Sequence, residues 1–239
     1  MAKKDYTANQ IIRLDGNKCF MEVLNDAFPI GKVHFGFYTY DVGKAEGSRI
    51  TNNIQIYLSI PEFLALAQEI SSGRLCQKAQ VSLEQSKQSR SFPCPVFESL
   101  GGTSAERLRK MGQSRPDNMG ISRQFRIIPG TKKPFLLNAE SGPGQADQKG
   151  LIVPKYKTGQ GEQKVMVPAD YNMMLRMAET VQIHIQAYFS ACYLSNPIAA
   201  QSCKAIEQEP GDSKLNGGDG EERRSIRPYS RETYDLSAV

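Results

Sequence analysis

The stretch ITNNIQIYLSIPEFLALAQEI, residues 50–70, constrains the chain most, because two hydrophobic periods meet in it without a gap. Ile54, Ile56, Leu58 and Ile60 alternate with Gln55, Tyr57 and Ser59, the period of two that a half-buried β-strand requires. After Pro61 the spacing changes. Phe63, Leu64, Leu66, Ala67 and Ile70 fall on one side of a helix, and Gly73 supplies a stop. Proline suits the first turn of a helix, where its missing N–H costs nothing, and Glu62 there complements the helix dipole. The same junction recurs late in the chain. In QKVMVPADYNMMLRMAE, Pro168 follows a strand and Asp170 repeats the acidic residue.

The flanking segments repeat too. In the first half, residues 11–14 and 19–24 are short apolar runs around the turn signal Asp15-Gly16-Asn17. GKVHFGFYTYD, residues 31–41, alternates as a strand, and the Gly-rich loop VGKAEGSR leads into the strand at 50–60. In the second half, strands are predicted at 124–128 and 135–139, joined by PGTKKP. ESGPGQADQKG matches the earlier Gly-rich loop. Strands follow at 151–157 and 163–167, and then a helix that runs to about Leu194 and stops before Asn196-Pro197. The expected fold is α+β: two β4α units, each a curved antiparallel four-stranded sheet with one helix, forming an intrachain pseudo-dimer. A unit of this size has a marginal core alone, so the two should pack helix against helix. The predicted divisions are 1–73, the first unit; 74–120, a linker with one short helix at SAERLRKM; 121–196, the second unit; and 197–239, a disordered tail.

Composition narrows the function classes. Of the 239 residues, 39% are hydrophobic and 23% charged, an ordinary globular balance. No run of about 18 apolar residues exists, so no membrane helix is expected. MAKKDYTANQ lacks the apolar stretch of a secretory signal. Five cysteines without C-x-x-C spacing, and only His34 and His184, assemble no zinc constellation. They read as reduced thiols in a cytoplasmic protein. Phosphate-loop, dinucleotide, nucleophile-elbow and H-E-x-x-H motifs are all missing, so neither an enzyme nor a cofactor is predicted. From Ala205 onward five Lys/Arg face eight Asp/Glu. The body up to Lys204 carries 25 against 17, a balance of +8. A basic body suits an anionic partner.

The strand at 31–41 is more specific. Val33, Phe35 and Phe37 form a core face, while His34, Tyr38 and Tyr40 point the other way with Gln55 and Tyr57. Flat rings on an open sheet face suit unpaired bases, which stack with little sequence preference. Outward tyrosines also pack on cross-strand neighbours or form a subunit interface. A homo-oligomer contact and a protein-interaction scaffold are therefore the alternative uses.

The block GKVHFGFYTYD…GSRITNNIQIYLSIPEFLALAQEI resembles the single-stranded DNA-binding domain of the positive cofactor four coactivators, over about residues 11–73. The Whirly and Pur proteins resemble the same plan, the latter in tandem. Over residues 123–194 only the layout is similar: TKKPFLLNAE replaces the Gly-Lys start and lacks outward aromatics. The resemblance implies a binding site on the sheet face away from the helix, here His34, Tyr38, Tyr40, Gln55 and Tyr57. Lysines and arginines around it would neutralise phosphates. The candidates are Lys18, Lys32, Lys44 and Arg49 in the first half. In the second they are Arg123, Arg126, Lys132, Lys133, Lys149, Lys155, Lys157 and Lys164. The expected partner is single-stranded DNA, in replication, recombination, transcription or the transfer of mobile DNA. RNA is the alternative on the same surface, and the tail is a candidate contact for a protein partner.

Overall fold

Both strand-to-helix junctions form as their sequences require. In the computed structural model, which describes residues 9–195, β4 (Ile50–Ser59) passes directly into α1 (Ile60–Ser71). Ser59 caps the helix, its Oγ accepting from the Glu62 amide at 3.3 Å. In the second half β9 (Gln163–Ala169) leads into α4 (Tyr171–Ser195), and Asp170 accepts from the Met173 amide at 3.0 Å.

The first sheet is an antiparallel meander of β1 (Gln10–Asp15), β2 (Cys19–Leu24), β3 (Lys32–Tyr40) and β4, in that order. The second sheet has five strands. β5 (Phe97–Thr103), β6 (Gly120–Pro129) and β7 (Phe135–Ala146) lie side by side. β7 then pairs with β8 (Ile152–Pro154) at one end and with β9 along the rest of the same edge. The chain is thus α+β, with two curved antiparallel sheets and a strand–helix unit in each half.

Segment 74–120, predicted to be a linker, is largely regular structure. It contains α2 (Arg74–Ser89), β5 and α3 (Ala105–Lys110), and only the last matches the one short helix expected. α2 escaped notice because its buried stripe is narrow and partly polar: Leu75, Ala79 and Ser82. Gly73, predicted as a stop, ends α1 in the left-handed conformation, with φ of 74°, and also joins it to α2. β7 also runs through SGPGQA, which the sequence suggested was loop, while the strand expected at 151–157 shortens to three residues. The predicted tail at 197–239 lies outside the described residues.

One core serves both halves. Phe125 of β6 stacks on Phe35 at 5.7 Å and meets Phe37 at 5.4 Å, so the inner faces of the two sheets meet ring to ring. Phe63, Leu66 and Ile70 of α1 join the same buried cluster as Met174 and Met177 of α4. The Tyr171 hydroxyl donates to the Ile70 carbonyl at 3.3 Å. The helices pack side by side, as the repeat implied. Removing a buried phenylalanine from such a core typically costs about 3–5 kcal/mol.

The other face of the second sheet is closed. Gly102, Gly142 and Gly144 leave room where a β-carbon would strike Ile152 or Tyr156 at 2.7–2.8 Å. Those two side chains fold onto the sheet and seal Ser122, Gln124, Arg126, Asn138 and Glu140 beneath them. Arg126 pairs with Glu140 at 2.8 Å, and Gly159 N–H donates to the second Glu140 oxygen at 2.9 Å. Ser122 Oγ, Gln124 Oε1, Arg126 Nε, Asn138 Oδ1 and Tyr156 OH have no partner among the described residues. The ion pair, not a complete network, anchors this layer.

Candidate nucleic-acid interface

Opposite its core face, the first sheet presents rings on three adjacent strands. Phe20 of β2 lies directly across from Tyr38 of β3, and their rings stack at 4.7 Å with 21° between planes. Tyr40 stands 6.1 Å from Phe20. On the other side Arg13 of β1 sits 3.7 Å over the Phe20 ring, a cation–π contact, while its guanidinium also pairs with Asp15 at 2.7 Å. Phe20 was hidden in the sequence within the apolar run CFMEVL, where only the pairing with β3 shows which face it takes.

Gly36 explains how Tyr38 lies. A β-carbon at Gly36 would come within 2.6 Å of the Tyr38 ring, so the ring rests flat over the place where a side chain is missing. Gln55, across from Gly36 on β4, donates to the Tyr38 hydroxyl at 3.2 Å. Burial pushes the Tyr38 phenol up to about 12, so it is neutral over the physiological range. Glu22 sits beside it and adds to the shift. A carboxylate amid the rings favours bases over phosphates there.

His34 takes a supporting place. It is only 7% exposed, its Nδ1 donates to Asp26 at 2.8 Å, and Nε2 lies 2.5 Å from Gln55 Oε1. Its ring backs Tyr57 at 4.3 Å and 17°. Its polar edges are occupied, so the expectation that His34 touches a ligand directly is corrected: it positions Tyr57. Tyr57 itself is 48% exposed, and burial followed by the Asp26 charge raises its phenol.

The basic residues divide. Lys18 is exposed in the β1–β2 turn, and its carbonyl accepts from the Tyr40 amide at 3.0 Å. Lys44 and Arg49 are exposed in the Gly-rich loop, where the Arg49 carbonyl accepts from the Asp41 amide at 2.8 Å. Three cations therefore gather at the Tyr40 end of the face. Lys32, half-buried, starts β3 opposite Ser59, near Tyr57.

The second half contributes less to this face. Arg126 is corrected outright: it is 3% exposed and held by Glu140, so no phosphate reaches it. Lys133 lies in the β6–β7 turn beside the start of α4 and pairs with Asp170 at 2.6 Å, with Lys132 exposed next to it. Lys149 is exposed in the turn before β8, and Lys155 and Lys157 are exposed after it. Lys164 is exposed on β9, its ammonium 3.7 Å from Glu140.

Arg123 behaves differently from Arg126, because it projects from the opposite side of β6. With Asn53, Gln55, Arg115, Ile121, Ser141, Glu162 and Gln163 it lines a cleft of about 210 Å³ where the second sheet meets the edge strand β4. Arg115 is clamped by Asp117 at 2.8 Å and Glu162 at 2.7 Å. Arg123 donates to Thr103 Oγ1 at 3.0 Å, and no carboxylate pairs with it among the described residues. Burial therefore lowers its affinity for its proton, and its charge reaches Tyr57.

Among the described residues no group of three or more His, Cys, Asp or Glu is placed to hold a metal ion, and no helix is long and apolar enough to cross a membrane. No family model matches the chain, and no curated protein and no solved structure matches it.

Proposed function

We propose that the outer face of the first sheet binds single-stranded DNA, largely without regard to sequence. The observation that supports it is the set of rings on β2, β3 and β4. Phe20 and Tyr38 stack in one pair and His34 and Tyr57 in another, on the sheet side away from both helices. Tyr57, 48% exposed and backed by His34 on one side, offers a base about 1–3 kcal/mol of stacking, while Phe20, held between Tyr38 and Arg13, makes the apolar floor beside it. Lys18, Lys44 and Arg49 supply phosphate contacts at one end and Lys32 at the other. The chemistry required is only this: a π-face for each base, cations at the margin and a rigid sheet beneath. No bond is made or broken. Such a surface serves processes that expose single strands, including replication, recombination and the transfer of mobile DNA.

The test is a titration against single-stranded DNA, duplex DNA and RNA of equal length, repeated over a range of salt. Single strands should bind more tightly than duplex, because paired bases offer no free face, and affinity should fall as salt rises. Equal or better binding to duplex would refute the reading. Stronger binding to RNA would move it to the RNA alternative, through contacts to the 2′-hydroxyl.

A further inference from the structure

The cleft beside Tyr57 differs from the rest of the face in being polar and concave. Beside Ile121 its lining mixes donors and acceptors: the amides of Asn53, Gln55 and Gln163, the Ser141 hydroxyl, the Glu162 carboxylate with the Arg115 guanidinium that holds it, and the Arg123 guanidinium. A phosphate accepts hydrogen bonds only, so a site built for it would not include a carboxylate. A base edge both donates and accepts. At about 210 Å³ the cleft has room for a flat ring system to enter.

From these features we infer that the cleft takes one guanine base of the bound strand, so that a single position is read while its neighbours are not. This inference rests on the single-strand reading above. Two residues select guanine. Arg123, which no carboxylate pairs among the described residues, matches the O6 and N7 acceptors, the commonest specific use of arginine on a base. Glu162 keeps lone pairs beyond those given to Arg115, since a carboxylate has about four acceptor sites, and it suits the N1–H and N2–H₂ donors of the same base. Adenine would set its N6 amino group against the guanidinium. Thymine and cytosine lack the N7 acceptor. Tyr57, next to Arg123, stacks on the neighbouring base and delivers the strand to the cleft.

The experiment compares five 15-mers by fluorescence anisotropy: all-thymine, and thymine with one central guanine, inosine, adenine or cytosine. The full-length protein should bind the guanine oligomer about tenfold more tightly than all-thymine. Adenine and cytosine should give no gain. Inosine, which lacks the N2 amino group, should fall between. Arg123→Gln should remove the guanine advantage, so that the variant binds the guanine and all-thymine oligomers alike, whatever the loss in its overall affinity. Arg123→Lys, which keeps the charge without the fork, should lose most of it. Equal binding of all five oligomers by the parent protein overturns the inference and leaves the single-strand reading standing. Binding to none removes both. Should Arg123→Gln fail to fold, the parent protein's ranking of the five oligomers still decides.

Discussion

The two sheets share a core and a strand-to-helix junction, yet they treat their outer faces in opposite ways. The first keeps rings at its surface: Tyr57 is exposed, and Phe20, Tyr38 and Tyr40 lie half-buried on a continuous meander. The second folds Ile152 and Tyr156 down over glycines and buries an arginine–glutamate pair. What separates them is the residue type beneath the face. In the first sheet one glycine, Gly36, seats a tyrosine flat. In the second, Gly102, Gly142 and Gly144 remove so much side-chain volume that the sheet closes on itself. A repeated order of elements therefore sets the core, while the outward residues decide whether the other face is a surface or an interior.

The largest effect should come from breaking the closed face. Glu140→Ala leaves Arg126 buried and unpaired, and loss of one partner of such a pair costs about 3–5 kcal/mol. Chemical denaturation should show it, and a loss below about 1 kcal/mol would mean that the layer is hydrated and not an interior. The open face should respond in the reverse sense. Tyr57→Ala should weaken single-strand binding by about 1–3 kcal/mol while shifting the denaturation midpoint little. A variant that unfolds easily but binds normally would show the ring to be structural. Gly36→Ala is a finer probe. The new methyl group needs the space of the Tyr38 ring, so the protein should fold, with circular dichroism unchanged, and bind more weakly than the parent but better than Tyr38→Ala.

The smallest effect concerns acid. The Arg115 guanidinium, through its hydrogen bonds, holds Glu162 and Asp117 below the usual carboxylate range. Depressed carboxyls contribute stability that is present above their unfolded values and is lost as pH falls through the folded ones. Both are largely exposed, so the contribution is small. In Arg115→Ala the Glu162 titration, followed by NMR, should move up toward the ordinary range. No movement would mean that the clamp does not form in solution.

Much of this was legible in the chain because it rests on local period. Ile54 to Ile60 and Phe63 to Ile70 announce a strand and a helix, and their alternation also gives the outward side of Tyr57. The outward tyrosines of β3 were visible for the same reason. Other features depend on partners distant in sequence. Arg126 alternates as an outward residue should, and nothing near it reveals that Tyr156 will cover it. Phe20 gains its meaning only from pairing with Tyr38. α2 shows too little apolar surface to be distinguished from a polar linker. The cleft around Arg123 draws on residues 53 to 163 and has no local signature at all.

The contrast between the two faces is tested most directly by ultraviolet crosslinking of the full-length protein to a single-stranded oligothymidine, followed by peptide mapping. Crosslinks should fall in the peptides that carry Phe20, Tyr38, Tyr40 and Tyr57, with none in those that carry Arg126 and Tyr156. Crosslinks concentrated on the second sheet's outer layer, with the first sheet's rings unmodified, would contradict the account.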